Sequence, residues 1–469
     1  MLEPELDRRC FVGAGLALVG ASAVPFPALA AVQRAVPANK FVDIVGICTH
    51  PNWNGAPWEN SAWEAVFIDS GARHTRGKIG SGDSGKAALT HLERLFSRGV
   101  KICVTVADQE DGLDRVGTKA NIDFLVNAVG AQNINGIESA NEYSNPSTAP
   151  ADWATRLRDF HKWLYNTVRA KPELNAVPVI GPSIWGRQTN DYIKLGNLEP
   201  YVDRGCLHWY TGGRRPTRAG MPGRPADFTY SLADAIREAK VLAPTKPLWI
   251  TEYGYPIAGP GTPLSSGNIS ETAAAKYLIR GLLDGFSEGV QKMNIYSLID
   301  DLHRIPPRYH GLADGTLKRR LTFYALKNLL TLFRDAGTLT TPGSLDYSLG
   351  NATAVIKRQL FQKSDRTFLL TMYQDVDSYD RTRLRDTVVA PVTVRLNLAQ
   401  MASKIEVFTP TTGQTVKQSV VNAKTLAIPV GDHVTVVKIT PTAAAQSNSD
   451  AAIAPSQQDP LDFKVPPAE

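Results

Sequence analysis

Cysteine is scarce in this chain of 469 residues, with four positions: Cys10, Cys48, Cys103 and Cys206. That number and spacing make neither a disulfide framework nor a CxxC metal set, and the last three fall inside apolar, strand-like runs as buried small side chains. The chain also lacks an HExxH pair and a P-loop, and no GxGxxG follows its first strand-like run, so zinc-protease and nucleotide-binding chemistry have no handle here. No metal and no organic cofactor is implied. Beyond the N-terminus, no stretch approaches the ~20 apolar residues that span a bilayer, which argues against stable membrane insertion. A strong excess of one charge is missing too. The net charge of +6 is mild for this length and argues for no nucleic-acid partner.

What is present is ordinary globular composition, 43% apolar and 20% charged, enough to bury a sizeable core. The first thirty residues differ. Arg8-Arg9 precede a weakly apolar run, Gly13 to Val24, then Pro25, Pro27 and the small-x-small ending Ala28-Leu29-Ala30. This resembles a bacterial twin-arginine signal peptide over residues 1–30, with a mature chain starting near Ala31 and exported to the periplasm or beyond.

From Phe41 to about Phe333, β-branched runs alternate with amphipathic stretches. Eight strands are predicted: Phe41–Cys48, Ala72–Ile79, Val100–Val106, Ile134–Glu138, Val177–Ile180, Gly205–Trp209, Leu248–Glu252 and Met293–Leu298. Eight βα units over ~250–300 residues predict a (β/α)8 TIM barrel, an α/β fold, across residues 31–336. After Gly337 short strand-like runs follow with no helical pattern between them, which predicts a small antiparallel β-sandwich over 337–441. Residues 442–469 are Ala-, Ser-, Gln- and Pro-rich and are expected to form a flexible tail.

Catalytic groups of such barrels project from the C-terminal ends of the strands. Two strand ends carry a glutamate with no packing reason to be there: Ile137-Glu138-Ser139-Ala140-Asn141-Glu142-Tyr143 after the fourth and Leu248-Trp249-Ile250-Thr251-Glu252-Tyr253-Gly254 at the seventh. Two carboxyls brought together this way suit glycosidic cleavage, which needs one to protonate the leaving oxygen and one to attack or to activate water. The pattern resembles clan A of the retaining glycoside hydrolases, the 4/7 superfamily, and its layout is nearest to family 39, whose barrel is followed by a β-sandwich.

The resemblance spans about residues 40–440. It implies Glu142 as acid/base, Glu252 as nucleophile and Asn141 as donor to the sugar 2-hydroxyl. His208 and Tyr210, ending strand six, stand where relatives bond the nucleophile and the sugar. His50 and Trp53, after strand one, stand where relatives hold a substrate hydroxyl. Of Arg73 and Arg76 in strand two, Arg76 is better placed to support the nucleophile's charge. Many relatives end strand eight with a tryptophan that floors the sugar site; here Tyr296 stands as a replacement platform. Glu138 reads as a supporting barrel residue.

The loops expected at the mouth carry Arg187, Arg214, Arg215, Arg218, Arg224, Arg304 and Arg308, with His303 and His310, either a solubilising surface or a groove for an anionic polysaccharide or oligosaccharide. Trp58, Trp63 and Trp185 are either sugar-stacking surfaces or core. A transglycosylase using the same glutamates, a non-catalytic polysaccharide-binding barrel and a uronic-acid lyase stand as alternatives.

Overall fold

Eight parallel strands form one sheet in chain order: Val45–Cys48, His74–Lys78, Lys101–Asp108, Ile134–Asn141, Val179–Ile180, Gly205–Trp209, Leu248–Tyr253 and Lys292–Ile295. The computed structural model describes residues 29–442 except positions 54, 56, 109–111, 186–188, 220–229 and 303–306. The ring closes between the fifth and sixth strands through a parallel bridge, Ile180 to Arg204, where Gly181 N donates to Arg204 O at 2.9 Å. A helix follows each strand: Ala62–Ser70, Asp83–Phe96, Arg115–Phe124, Trp153–Arg169, Thr189–Leu195, Leu232–Ala239, Glu271–Ser287 and Leu321–Phe333. The expected (β/α)8 barrel is the observed one.

Local sequence explains these elements. Trp153–Arg169 buries Leu157, Phe160, His161, Leu164 and Val168, the three-and-four spacing of one helical face. Leu232–Ala239 starts at a capping box in which Ser231 and Asp234 bond each other's backbone N–H groups. Several boundaries depart from expectation, among them the fourth strand, which runs on to Asn141 instead of ending at Glu138. The predicted strand Phe41–Cys48 is a helix, Ala38–Ile44, followed by only four strand residues. Ala38, Phe41 and Val42 are buried at helical spacing, and Phe41 packs on Phe286, Phe333 and Phe361. The last barrel strand ends at Ile295 rather than Leu298.

The second region is an antiparallel sheet built from Leu29–Arg34, Ser344–Gly350, Ile356–Gln362, Phe368–Gln374, Val392–Phe408, Gln418–Val430 and Thr435–Pro441. Its long strand, Val392–Phe408, changes register between Asn397 and Ala402; both halves pair with Gln418–Val430, while on the other edge the first meets Ser344–Gly350 and the second Thr435–Pro441, around a separate core of Leu370, Met372, Leu396, Ile405, Ile428 and Val437. Leu29–Arg34 pairs with Ser344–Gly350, and Val36–Pro37 runs beside Ile356–Gln362. Residues 29–37 therefore lie in this sheet, whereas the sequence reading assigns everything from 31 to 336 to the barrel. A chain segment this far from its partners in sequence leaves no local signal of the pairing.

The sheet's other face closes the barrel's side. Strand Phe368–Gln374 is buried along its whole length because alternate residues face its own core and the barrel. Helix Glu271–Ser287 is correspondingly buried from Ala273 to Gly285, with Lys276, Arg280 and Asp284 among those residues. A glycine is needed at 281, where a Cβ would stand 1.9 Å from the Tyr253 hydroxyl that donates to Tyr277 O.

Candidate active site

The strand ends bring Glu142 and Glu252 to one place. An oxygen of each carboxylate and a ring nitrogen of His208 all lie within 4.8 Å of one another. Glu142 takes the left-handed backbone conformation, φ 48°, unusual for a side chain of its kind. Its N–H donates to Ser183 Oγ at 3.0 Å, and its carbonyl accepts from Asn145 N at 2.9 Å, bonds that hold the turn.

Arg76, from the second strand, joins the carboxylates. Its Nη1 donates to Glu252 Oε1 at 2.8 Å, its Nε and Nη2 to Glu138 at 2.6 and 2.9 Å, and its Nη2 also to Asn141 Oδ1 at 2.8 Å. With Oδ1 so engaged, the Asn141 amide nitrogen is the group left to donate. Tyr210 donates its hydroxyl to Glu252 Oε2 at 2.7 Å, and burial with the Glu252 charge pushes that phenol well above its usual range, so it stays a donor. Arg73 does not reach the site: it bonds Asp43 and Asn39 beside the opposite end of its strand.

His208 is the other hub. Its Nδ1 lies 2.7 Å from Glu142 Oε1 and 3.6 Å from Glu252 Oε2, and its Nε2 3.1 Å from Thr251 Oγ1 and 3.8 Å from Glu138 Oε1. Burial alone would lower its pKa, but the surrounding carboxylates, Glu252 foremost, push it up to about 10. At neutral pH it is an imidazolium that donates from both nitrogens. Burial would likewise raise Glu252 and Glu138. For Glu252, His208 and Arg76 reverse this and hold the carboxyl below its usual value; for Glu138, the Arg76 charge and His208 bring it to about 2.

An aromatic arc flanks the pair. The Trp53 ring stacks on His50 at 3.8 Å, His50 meets Tyr296 at 5.5 Å, Tyr296 meets His310 at 5.7 Å, and His310 meets Tyr210 at 6.0 Å. Trp58 and Trp63 are core, each at most 1% exposed. His310 is held neutral, its pKa lowered to about 4 by burial and by Arg308. The sequence reading placed His310 only among loop residues and missed its ring contacts, because they depend on a segment returning across the mouth. Arg308 and Asp301 exchange backbone bonds there, Ile257 N donates to Tyr309 O, and Leu312 N to Ser297 O.

Also missed are Ser183 and Thr251, and the setting of the cysteines. Cys103 and Cys206 place their sulfurs 4.0 and 3.8 Å from Glu138, and Cys48 donates to Thr251 O. Among the described residues, two groups have metal-ligand spacing, Glu138 with Cys206 and His208, and Glu142 with His208 and Glu252. Their carboxylates already take bonds from Arg76, Thr251, Tyr210 and His208, so the positive charge in this cluster comes from side chains. Of the mouth arginines, Arg215 turns to Asp375, Arg214 is half-buried, Arg218 and Arg308 are exposed, and Arg187, Arg224, Arg304 and His303 lie outside the described residues.

Barrel and following sheet recur together in solved structures. One is a family 39 glycoside hydrolase from the gut symbiont Bacteroides cellulosilyticus WH2, with 14% identity and a TM-score of 0.58 over 86% of this chain and 82% of that one. The fold is that of the family 39 glycoside hydrolases. A second such enzyme, from Xanthomonas axonopodis pv. citri, matches at 14% identity and TM-score 0.57 over 87% of this chain and 96% of that one. A glucosidase from Croceicoccus marinus matches at 10% identity and TM-score 0.59 over 88% and 98%. No protein-family model matches the chain, and no curated protein does either. The family 39 likeness is therefore one of fold, spanning barrel and sheet together.

Proposed function

We propose that this protein is a retaining glycoside hydrolase working by double displacement, with Glu252 as nucleophile and Glu142 as acid/base. One observation carries the reading: an oxygen of Glu142 and one of Glu252 lie within 4.8 Å of each other, and both carboxylates reach His208 Nδ1, at 2.7 and 3.6 Å, so no wide gap separates the two groups. Retaining enzymes place them ~5–5.5 Å apart, whereas inverting enzymes leave ~6.5–9.5 Å for a water between them. In the first step Glu252 bonds to the anomeric carbon, the glycosidic C–O bond breaks, and the Glu142 proton goes to the departing oxygen. In the second, Glu142 takes a proton from water, whose oxygen displaces Glu252 and frees the sugar with its configuration retained.

The neighbours fit these roles. Arg76 and Tyr210 keep Glu252 ionised and aimed. Asn141 offers its amide to the 2-hydroxyl, and His50, Trp53 and Tyr296 supply the wall and floor of the sugar site, the place a tryptophan fills in many relatives.

The substrate we propose is an anionic polysaccharide or oligosaccharide met outside the cytoplasm, the second part resting on the pattern of residues 8–30. Support for the first comes from the segment around Arg308. Tyr309 packs against Gly259, while His310 meets Tyr210 and Tyr296. The exposed Arg308 lies near enough to His310 for its charge to lower that ring's pKa, which sets it beside the mouth.

The experiment is hydrolysis of acidic and neutral exopolysaccharides and aryl glycosides by wild type, Glu142→Gln and Glu252→Gln. The expected result is cleavage by wild type with the configuration retained, lost by about 10³-fold or more in both variants on natural glycans. Full activity in either variant refutes the assignment. Rates on an acidic glycan that do not change between about 20 and 500 mM salt refute the anionic substrate, because exposed charge contacts are screened over that range.

A further inference from the structure

We propose that Glu138 is a positioning residue for the reaction: its buried carboxylate, bonded along one edge of Arg76 and beside His208, balances the two cations that flank Glu252, so that the acid/base Glu142 meets excess positive charge only once the nucleophile is glycosylated. This inference rests on the function proposed above.

Glu138 lies within the fourth strand, four residues before Glu142, and is 0% exposed. It touches no space a sugar can enter. Its oxygens take two bonds from Arg76 and one from Thr251 Oγ1 at 3.1 Å, and His208 Nε2 is 3.8 Å away. By holding the Nε–Nη2 edge of the guanidinium, it turns Nη1 toward Glu252.

The charges then sum simply. Arg76 and His208 are cations; Glu138 and Glu252 are anions. Those four groups sum to zero, the arrangement a low-dielectric pocket favours. His208 Nδ1 donates to Glu142 Oε1, which leaves Oε2 to carry the proton toward the leaving oxygen. Once Glu252 becomes an ester its charge is gone, and the four groups carry one positive charge in excess beside the carboxyl that must take a proton from water.

The groups facing this cluster from the other elements leave the sum unchanged. Burial keeps the thiols of Cys48, Cys103 and Cys206 protonated. Tyr210 is a neutral phenol and His310 a neutral imidazole. Asn141, Thr251 and Ser183 carry no charge, and Arg308 lies in solvent at the rim. Removing Glu138's charge alone should therefore give the resting site the positive excess that belongs to the intermediate.

The test compares Glu138→Gln with wild type on two substrates of the glycone that wild type cleaves best. One has a 2,4-dinitrophenyl leaving group, which needs no proton; the other is an unactivated oligosaccharide. Expected for Glu138→Gln is a loss of about 10²-fold on the oligosaccharide, less than about fivefold on the aryl glycoside, and an alkaline limb of kcat/KM moved down by about one pH unit or more. Equal losses on both substrates with the limb in place overturn the proposal, since a scaffold defect cannot tell leaving groups apart.

If the amide variant does not fold, Glu138→Asp serves. It keeps the charge and shortens the reach, so the alkaline limb should stay while the rate falls, and a limb displaced as in the scheme above overturns the proposal. Wild type is also incubated with 2-deoxy-2-fluoro glycosides and examined by intact mass. A wild type in which no sugar labels Glu252 refutes the glycosidase reading and this inference together. Labelled wild type beside an unaltered Glu138→Gln profile refutes the inference alone.

Discussion

The molecule buries charge in two places, the barrel mouth and the seam between barrel and sheet, and it does so differently. At the seam each base meets a single acid: Lys276 bonds Asp432 at 2.9 Å, Lys357 bonds Asp284 at 2.8 Å, and Arg280 bonds Asp375 at 3.2 Å, an acid that Arg215 also approaches at 3.7 Å. At the mouth three carboxylates converge on one guanidinium and one imidazolium. A closed pair holds two surfaces in register. A shared cation makes each carboxylate's protonation depend on the others, which acid/base chemistry requires. Buried ion pairs add little net stability in either place, so the contrast lies in what each arrangement can do.

The largest effect that would test this contrast is at Arg76. Lysine keeps the charge but cannot bond Glu138, Glu252 and Asn141 at once. Arg76→Lys is expected to lower kcat/KM by about 10²-fold, with some loss of stability from the unpaired Glu138. Activity within about threefold of wild type would mean that charge alone suffices and that the shared geometry is incidental.

Next comes Arg280, the seam's most buried base. Its side chain is 0% exposed, bonds Val376 O, Ser378 Oγ and Asp375, and lies 5.4 and 5.5 Å over the rings of Tyr277 and Tyr373. Arg280→Met is expected to destabilise by about 3 kcal/mol in urea unfolding, because it removes the buried cation of Asp375 and leaves it only Arg215 at 3.7 Å, with kcat/KM within about threefold of wild type. A large fall in activity with stability kept would make the seam part of the catalytic machinery. Asp375 makes that outcome worth measuring, since it also holds Thr217 in the loop after strand six.

How much of this the sequence discloses follows the same divide. Glu142 and Glu252 stand out because an acid ending an apolar strand has no packing role, and the barrel supplies the rest. Arg76 could be preferred to Arg73 by position along its strand, and the structure places only Arg76 beside Glu252. Glu138 carries the same local signal as any buried strand acid; its partners come from strands two, six and seven, and nothing nearby in the chain marks them. The seam was illegible for a related reason. Helix Glu271–Ser287 reads as an ordinary amphipathic barrel helix, and only the sheet packed on its outer side explains why Lys276, Arg280 and Asp284 are buried. Leu29–Arg34 pairs across more than three hundred residues, beyond any pattern of turns and alternation.

The smallest effect sets Glu138 against Asp284, two acids at 0% and 1% exposure whose pKa values move in opposite directions. Burial raises both. At Glu138 the Arg76 guanidinium and His208 outweigh it and the carboxyl falls to about 2, while at Asp284 one Lys357 ammonium and the Tyr373 hydroxyl do not, and it stays raised. A depressed carboxyl contributes stability that is present above its unfolded value of 4.5 and lost as pH falls through about 2. A raised one contributes stability that is full below its unfolded value of 3.8 and is lost as pH rises through the folded value. The amide variants should therefore diverge. Measured as Tm relative to wild type, Glu138→Gln is expected to show its largest deficit at pH 6 and a smaller one at pH 3. Asp284→Asn should improve from pH 4 to pH 7, by an amount on the order of 1 kcal/mol, because the amide cannot ionise in the buried site. Parallel Tm–pH curves for the two variants would mean that the seam and the mouth treat a buried carboxylate alike, and the distinction between closed pairs and a shared cation would lose its energetic basis.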